Sequence, residues 1–197
     1  MMKLYFSPGA CSLSDHIALH EAGLAFEHEK VDLKAKKTEN GEDFLTINPK
    51  GYVPALTLDS GETITENVAI LDWIAHQDSA LKPAGAMGHT HLLEALAYIS
   101  TEIHKGFKPF FAGAGDDEKA KAGETIVKRM TWLADTMEGD YLFGETVSVA
   151  DCYLFVMLLW AEKNSVQAPA KLVALRNRMM DRPAVRKAMT HEGLIEA

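Results

Sequence analysis

Residues 4–12 read LYFSPGACS, and this stretch decides the fold of the first part of the chain. Its apolar start is typical of a short strand, and Pro8-Gly9 is a dipeptide that ends strands and marks turns. Over residues 12–22 the apolar side chains recur at helical spacing, and Gly23 follows where a helix-ending glycine is expected. The stretch therefore predicts a strand-to-helix junction with Cys11 at the entrance of the helix.

A cysteine at this position has a chemical consequence. Free backbone N–H groups and the positive end of the helix dipole both favour the thiolate of Cys11. We therefore expect its pKa to lie below the free value of about 8.5. No second cysteine follows three residues later, which excludes a two-cysteine disulfide exchanger. The alternative is a structural role, because free cysteines are often small buried hydrophobes.

The remaining pattern divides the chain into two domains. A strand over residues 26–33, a hairpin over 55–64 and a helix over 66–77 complete a small α/β layer. Proline and glycine interrupt any periodicity in the linker that follows, and beyond it the apolar spacing predicts helices only, over residues 89–111, 118–137, 148–163, 171–180 and 183–190. We predict a first domain over 1–78, a linker over 79–88 and an all-helical domain over 89–197.

The composition argues against several classes of partner. The chain has 197 residues, 47% of them hydrophobic and 24% charged, and a net charge of −8. We expect no nucleic-acid partner, because no basic face is visible. We also expect no membrane partner, because no apolar run approaches the roughly 20 residues needed to span a bilayer. Two distant cysteines and the lack of a signal-peptide pattern favour the cytoplasm.

Three further motifs carry chemistry. Val53-Pro54 lies between a glycine-containing turn and a strand, where a cis proline can hold the backbone open for strand-like pairing with a peptide. Glu66 and Asn67 stand at a strand-to-helix corner, where N–H groups bind a carboxylate and a glutamate binds an amine. His104 can donate a hydrogen bond to a sulfur or an oxygen, and the pKa of a histidine is ordinarily near neutrality. The alternative for Glu66 and Asn67 is an ordinary helix start, and the alternative for His104 is a surface histidine.

Two other patterns favour structural roles. Ser148-Val149-Ala150-Asp151 is a capping box at the start of the most apolar helix, so we expect it to nucleate the helical core. The spacing of His16 and His20 can hold zinc, as can His89 and His91 with a third ligand. No companion cysteine or carboxylate signature completes either set, so we interpret both as solvated helix faces and predict no metal site.

In this order the motifs resemble those of the beta class of bacterial glutathione S-transferases, along essentially the whole chain. The matching stretches are SPGACSLS, KVDLKAKKTENG, FLTINPKGYVPAL, TENVAI, EIHKGFKPFF, VADCYLF and the closing EGLI. The resemblance implies a thioredoxin-like α/β domain that binds glutathione, an all-helical domain with an electrophile pocket, and a two-fold dimer. It also implies that glutathione is a co-substrate and that no cofactor is needed.

The resemblance implies roles for individual residues. Cys11 would contact the glutathione sulfur and can form a mixed disulfide with it, while His104 would face the sulfur from the helical domain. Phe107 and Trp160 would line the electrophile pocket. Glutathione would be bound by residues of both domains: Ala10, Lys36, Val53, Pro54, Glu66, Asn67, Glu102 and Lys105.

Within that binding set the expected contacts differ. Val53 would pair with the cysteinyl backbone of glutathione, and Lys36 would reach the glycine carboxylate. Glu66 and Asn67 would hold the γ-glutamyl end. Glu102 would reach the ligand of the neighbouring subunit.

Three functions are compatible with these motifs. In the leading hypothesis the glutathione thiolate attacks a soft electrophile, such as those removed in detoxification. In the second, Cys11 attacks a glutathionylated disulfide or a peroxide product and is released by a second glutathione. In the third, the chain binds glutathione or hydrophobic ligands without catalysis, because a fold alone does not fix a function.

Overall fold

The structure is a computed structural model, and it describes residues 1–196. The chain forms two compact units: the first is Met1–Ser79 together with the segment that begins at Arg182, and the second is Ala80–Asp181. This division differs from the predicted helical domain over 89–197, because the last helix packs in the first unit. The predicted linker over 79–88 and the functional assignment of each domain stay predictions.

The first unit contains a five-stranded sheet with the strand order β3-β2-β1-β4-β5. In chain order the strands are β1 (Met2–Phe6), β2 (Phe26–Asp32), β3 (Lys37–Thr38), β4 (Ala55–Thr57) and β5 (Thr63–Thr65). β1 and β2 pair in parallel, whereas the other pairs are antiparallel. A parallel pair needs a crossover connection, and the helix predicted after Cys11 supplies it.

Nine α-helices lie within residues 1–196. In chain order they are α1 (Ser12–Glu21), α2 (Phe44–Ile47), α3 (Asn67–Gln77), α4 (Gly88–Tyr98), α5 (Lys108–Phe111), α6 (Asp116–Thr136), α7 (Val149–Lys163), α8 (Ala170–Met180) and α9 (Pro183–His191). The predicted strands and longer helices of the first 78 residues are confirmed. β3 and α2 were not predicted, because elements of two and four residues are too short to show a period.

The helix predicted over residues 89–111 is confirmed in its buried face but not in its backbone. The predicted apolar stripe is fully buried: Leu92, Leu96, Ile99, Ile103 and Phe107. The backbone widens to a π-helical turn over Ile99–Ile103 and tightens to a 3₁₀ turn over His104–Phe107 before α5. At Gly106 a Cβ atom would lie 2.9 Å from Cγ1 of Ile126 on α6, so glycine permits this close approach. π-helical turns are frequent at functional sites.

The capping box of α7 is confirmed. Ser148 Oγ accepts a hydrogen bond from the Asp151 N–H at 3.4 Å, and Asp151 Oδ2 accepts one from the Ser148 N–H at 2.8 Å. Asp151 Oδ1 also accepts from the Leu142 N–H at 2.8 Å, which ties the preceding loop to the helix. From Val149 to Leu158 every residue of α7 is buried, as expected for the central helix of the second unit.

The C-terminal segment is attached to the first unit by polar contacts. The Arg182 guanidinium donates to both carboxylate oxygens of Glu21 at the end of α1. Glu192 is buried just after α9: its Oε2 accepts from the Gly9 N–H at 2.9 Å, and its Oε1 lies 3.1 Å from Nδ1 of His16. These contacts explain why the last helix belongs with α1 rather than with the other C-terminal helices.

The interpretation of His16 and His20 as a solvated helix face is wrong. His16 is fully buried and His20 is half-buried, because α9 covers this face of α1. Burial lowers the pKa of His16 to about 2 and that of His20 to about 4, so both rings are neutral at neutral pH.

Among the helices of residues 1–196, none has the combination of length and apolar character that crossing a bilayer requires.

Candidate active site

Cys11 lies where the sequence places it, at the residue before the first turn of α1. It is partly exposed, and its thiol donates to the backbone oxygen of Val53 at 3.8 Å. Two hydrogen bonds fix the loop before it. The Ala10 N–H donates to the Ser7 oxygen at 3.0 Å, and the Gly9 N–H donates to the Glu192 carboxyl. The structure therefore brings Cys11 and Val53 together within the first unit.

The prediction of a lowered pKa for Cys11 is wrong for the protein without a ligand. Removal of the thiol from water raises its pKa to about 12, and the carboxyls of Asp15 and Glu66 add to the rise. The N–H groups of Cys11 and Ser12 do favour the thiolate, as the helix start predicted, but they are outweighed. Cys11 is thus a neutral thiol at neutral pH.

The peptide that faces Cys11 is fixed by the core of the first unit. The bond between Val53 and Pro54 is cis, as predicted. The Val53 side chain is buried in a cluster of the sheet with Tyr5, Val31, Phe44 and Ala55, and Ala10 packs against that cluster. Packing on the side chain leaves the backbone oxygen of Val53 directed at the thiol.

Lys36 also lies near this peptide. Its backbone is left-handed, with φ of 57°, and its ammonium donates to the Gly51 oxygen at 2.6 Å. A cationic head group is therefore held two residues from Val53. Its predicted contact with a carboxylate stays a prediction.

Glu66 forms the other end of the site. It occupies the strand-to-helix corner with φ of 76°, a conformation that is uncommon for non-glycine residues. Its carboxylate is exposed and accepts hydrogen bonds from the Lys50 ammonium and, at 2.6 Å, from the Tyr52 hydroxyl. The hydrogen bond from Lys50 is the main reason that the pKa of Glu66 is lowered.

Lys50 and Tyr52 were missed by the sequence analysis. Both belong to the KGYVP stretch, in which only Val53-Pro54 was predicted to bind a ligand. Lys50 and Tyr52 are separated by one glycine in a turn, which indicates that their side chains point to the same side. This spacing does not identify Glu66 as their partner.

The side chain of Asn67 does not lie where the resemblance implies. It is buried against α1 and contacts the Ser14 hydroxyl. In the amide orientation that pairs each donor with an acceptor, its nitrogen donates to the Cys11 oxygen at 3.1 Å and to Asp15 Oδ2 at 2.7 Å. Asn67 therefore joins the starts of α1 and α3. Its expected side-chain contact with a ligand is contradicted, whereas a contact through its backbone N–H stays a prediction.

The second unit contains a separate group of site residues around His104. Nδ1 of His104 lies 2.5 Å from the Tyr153 hydroxyl, and its ring meets the Trp160 ring edge to face at a centroid distance of 5.0 Å. Burial, with a smaller contribution from Lys105, lowers the pKa of His104 to about 4. His104 is consequently neutral at neutral pH, and Tyr153 is a site residue that the sequence analysis missed.

The expected electrophile pocket differs in one wall residue, because Phe111 and not Phe107 is exposed. Phe107 is fully buried and cannot line an open pocket, because its ring packs beneath Trp160 and Phe111. Phe111 is 56% exposed and takes the surface position instead. Within the second unit a concavity of about 390 Å³ is lined by His104, Lys105, Lys108, Phe111 and Ala112.

The two remaining predicted residues of the second unit differ in their surroundings. The ammonium of Lys105 is exposed beside that concavity. Glu102 pairs with the Arg129 guanidinium of its own chain at 3.0 Å. Its expected role toward a neighbouring subunit stays a prediction.

A thiol at the start of the first helix, opposite a cis-prolyl peptide in a mixed sheet and followed by an all-helical unit, defines the class of glutathione-dependent transferases. Family models agree. The N-terminal domain of glutathione S-transferases matches residues 10–77, and the C-terminal domain of glutathione S-transferases matches residues 101–191. The chain belongs to the glutathione S-transferase family, and it is a glutathione transferase of the predicted fold.

Individual relatives support the assignment over the whole length. Glutathione S-transferase GstA of Escherichia coli O157:H7 is 38% identical over 200 residues, which cover 98% of this chain and 100% of the relative. A sphingomonad glutathione S-transferase, solved in complex with glutathione, is 49% identical with a TM-score of 0.90 and covers 98% of this chain and 100% of its own. The bacterial beta-class enzyme of Sphingomonas chungbukensis is 45% identical with a TM-score of 0.89 at the same coverage. The resemblance to the beta class is thereby confirmed.

Proposed function

We propose that this glutathione transferase binds glutathione in its first unit, with the tripeptide extended along Val53 and its sulfur beside Cys11. The observation that carries the proposal is the 3.8 Å contact between the Cys11 thiol and the Val53 oxygen. A peptide that pairs with the backbone of Val53 as a strand would place its own central side chain at that thiol. The chemistry of the family supplies the identity of the peptide.

The γ-glutamyl end is proposed to lie at the Glu66 corner. The side chain of Glu66 does not cap α3, so the first N–H groups of that helix can receive a carboxylate. The Glu66 carboxylate would bind the α-amino group of the ligand, and Lys50 would move from the carboxylate to solvent or to the ligand. Lys36 is proposed to bind the glycine carboxylate at the opposite end.

His104 is proposed to act as a neutral hydrogen-bond donor to the reacting sulfur. When the Tyr153 hydroxyl donates to Nδ1, the proton of the ring is on Nε2, which makes that nitrogen a donor. A hydrogen bond to the charged form lowers a thiol pKa. The dipole of a helix contributes only about 0.3–1 kcal/mol and would be too small alone.

The electrophile is proposed to lie against the concavity beside His104, with Phe111 and Trp160 as its apolar walls. Lys105 and Lys108 make its rim cationic. Such a surface suits an aromatic or unsaturated electrophile that carries a negative or electron-withdrawing group, because the transferred sulfur adds negative charge to it.

Glu66→Ala is expected to weaken glutathione binding by roughly 10–100-fold, since a hydrogen bond to a charged group contributes about 1.5–3 kcal/mol. Isothermal titration calorimetry with reduced glutathione measures the affinity. Glu62→Ala is the matched control, because Glu62 is an exposed glutamate of the same β4–β5 hairpin and lies outside the proposed site. An unchanged affinity in Glu66→Ala would show that the ligand has been placed wrongly.

A second activity is proposed for Cys11, namely glutathione-dependent thiol transfer or reduction of peroxide products. It rests on the same thiol, which lies where the glutathione sulfur is proposed to bind. Its test is argued in the Discussion because its expected effect is large.

The setting of the enzyme is proposed on chemical grounds. A cytoplasmic, reducing compartment would keep both glutathione and Cys11 as thiols, which suits a role in detoxification. We propose a homodimer, in which the exposed apolar side chains of Leu93 on α4 and Trp132 on α6 are covered by the second copy. Light scattering on the purified protein is expected to give a mass of two chains at micromolar concentration, whereas a mass of one chain would contradict the dimer.

A further inference from the structure

Three histidines from two helices of the first unit lie together outside the proposed glutathione site. His16 and His20 are one turn apart on α1, and His191 ends α9. One ring nitrogen from each lies within 4.8 Å of the other two. His16 is buried, His20 is half-buried and His191 is exposed, so the group forms a partly open cluster.

The spacing of two of these nitrogens is that of ligands on one metal ion. Nε2 of His16 lies 3.4 Å from Nδ1 of His191. Two nitrogens bound tetrahedrally to zinc at 2.0–2.1 Å are about 3.3–3.4 Å apart. The remaining separations in the cluster are no wider than 4.8 Å, so a bound ion would have to draw these ring nitrogens closer together.

A buried atom in the cluster lacks a hydrogen bond. Within residues 1–196, Nε2 of His20 is buried and has no partner. An imidazole nitrogen in that position loses its contact with water without a replacement, which is rare in folded proteins. A metal ion would satisfy it.

The surroundings of the cluster orient two of its rings. Nδ1 of His16 is held by the Glu192 carboxyl at 3.1 Å, which leaves Nε2 as the ligand atom. A carboxylate behind a histidine ligand is the usual outer shell of a protein metal site. The His28 ring of β2 stacks on the His191 ring at a centroid distance of 4.5 Å and fixes its plane.

Two features oppose a cation here. Lys187, one turn before His191 on α9, directs positive charge at all three histidines. Burial also raises the pKa of Glu192 to about 8, which favours its uncharged form when no ion is bound. Three nitrogen ligands, together with the carboxyl group behind His16, act against these two features.

We propose that His16, His20 and His191 bind one divalent transition-metal ion of the zinc, nickel and copper group, with water as the fourth ligand. Imidazole is the preferred ligand of these ions, whereas magnesium and calcium prefer oxygen. The ion would join α9 to α1. Glu192, the residue after His191, also accepts a hydrogen bond from the Gly9 N–H. The proposed metal site is therefore connected to the loop that leads to Cys11.

Zinc titration of the tag-free, full-length protein tests the proposal. Competition with a chromophoric chelator is expected to show one zinc ion bound per chain, and zinc should raise the melting temperature. His191→Ala is expected to abolish both effects, and it should fold because His191 is exposed. His91→Ala removes an exposed histidine far from the cluster in sequence, and it should bind zinc as the wild type does.

A subtler variant separates an oriented site from surface adsorption. Glu192→Gln keeps an acceptor for Gly9 but removes the carboxylate behind His16, and it is expected to weaken zinc binding by about 10–100-fold. Lys187→Gln is expected to strengthen binding. Equal zinc affinity in the wild type and His191→Ala, or no stoichiometric zinc in the wild type, would overturn the proposal, and magnesium should bind in neither.

Discussion

Asp151→Ala is expected to lower the free energy of unfolding by about 3 kcal/mol, because it leaves two buried N–H groups without an acceptor at about 1–3 kcal/mol each. Those groups belong to Leu142 and Ser148, and both lie 2.8 Å from the Asp151 carboxylate. Asp151 itself is fully buried at the start of the central helix of the second unit. Urea denaturation at neutral pH, followed by circular dichroism, measures the change.

Two variants distinguish the carboxylate from the rest of the capping box. Ser148→Ala removes the hydroxyl that accepts from the Asp151 N–H and donates to Asp151 Oδ2 at 2.6 Å. Both N–H contacts of the carboxylate remain, so it is expected to cost about 1 kcal/mol. Asp151→Asn keeps one oxygen, but its NH₂ group then faces the second N–H donor. It should therefore remain less stable than the wild type. An Asp151→Ala protein as stable as Ser148→Ala would contradict the proposed importance of the two N–H contacts.

The stability difference between the wild type and Asp151→Asn should depend on pH, because Asp151 is buried. Burial raises its pKa from 3.8 to about 6. Because the folded state holds the proton more tightly than the unfolded state, the contribution of Asp151 is greatest below about pH 4. It falls by about 3 kcal/mol as the pH rises to about 6. The stability advantage over Asp151→Asn, which does not titrate, should shrink over that interval.

The fold was largely predictable from local signals. The Pro8-Gly9 break, the helix-ending Gly23 and the capping box at Ser148 each have a physical meaning within a few residues, and all three were interpreted correctly. The apolar stripe from Leu92 to Phe107 predicted which side chains are buried. It could not predict the π-helical turn over Ile99–Ile103, because an apolar stripe shows which side chains are buried and not how tightly the backbone is wound.

The site was less predictable because its chemistry depends on burial. A helix start favours a thiolate, but in the structure the partly exposed Cys11 loses much of its contact with water and lies near the carboxyls of Asp15 and Glu66. These effects raise its pKa instead of lowering it. Asn67 and His16 show the same limit. Asn67 was expected to contact a ligand and His16 to face solvent, yet each side chain is buried against an element distant in sequence. His191 is 171 positions after His20, so spacing alone could not group them.

Cys11→Ala is expected to reduce glutathione-dependent thiol transfer by roughly a hundredfold or more while sparing much of the conjugation, because only thiol transfer needs the protein's own nucleophile. In that reaction the Cys11 thiolate attacks the glutathione sulfur of a mixed disulfide, and the substrate thiolate leaves and takes up a proton. A second glutathione thiolate then attacks the Cys11-bound glutathione sulfur, which releases Cys11 and oxidised glutathione. The other cysteine, Cys152, is fully buried in α7 and cannot substitute.

The matched control is Cys11→Ser, whose hydroxyl can still donate to Val53 but is not a competent nucleophile. Assays with a glutathionylated disulfide and with an electrophile panel separate the two activities. Because the pKa of Cys11 is raised to about 12, thiol transfer should increase about tenfold per pH unit between neutral and mildly alkaline pH, as the thiolate fraction grows. Conjugation, in which glutathione supplies the thiolate, should not follow that slope. Equal loss of both activities in Cys11→Ala would mean that Cys11 takes part in both.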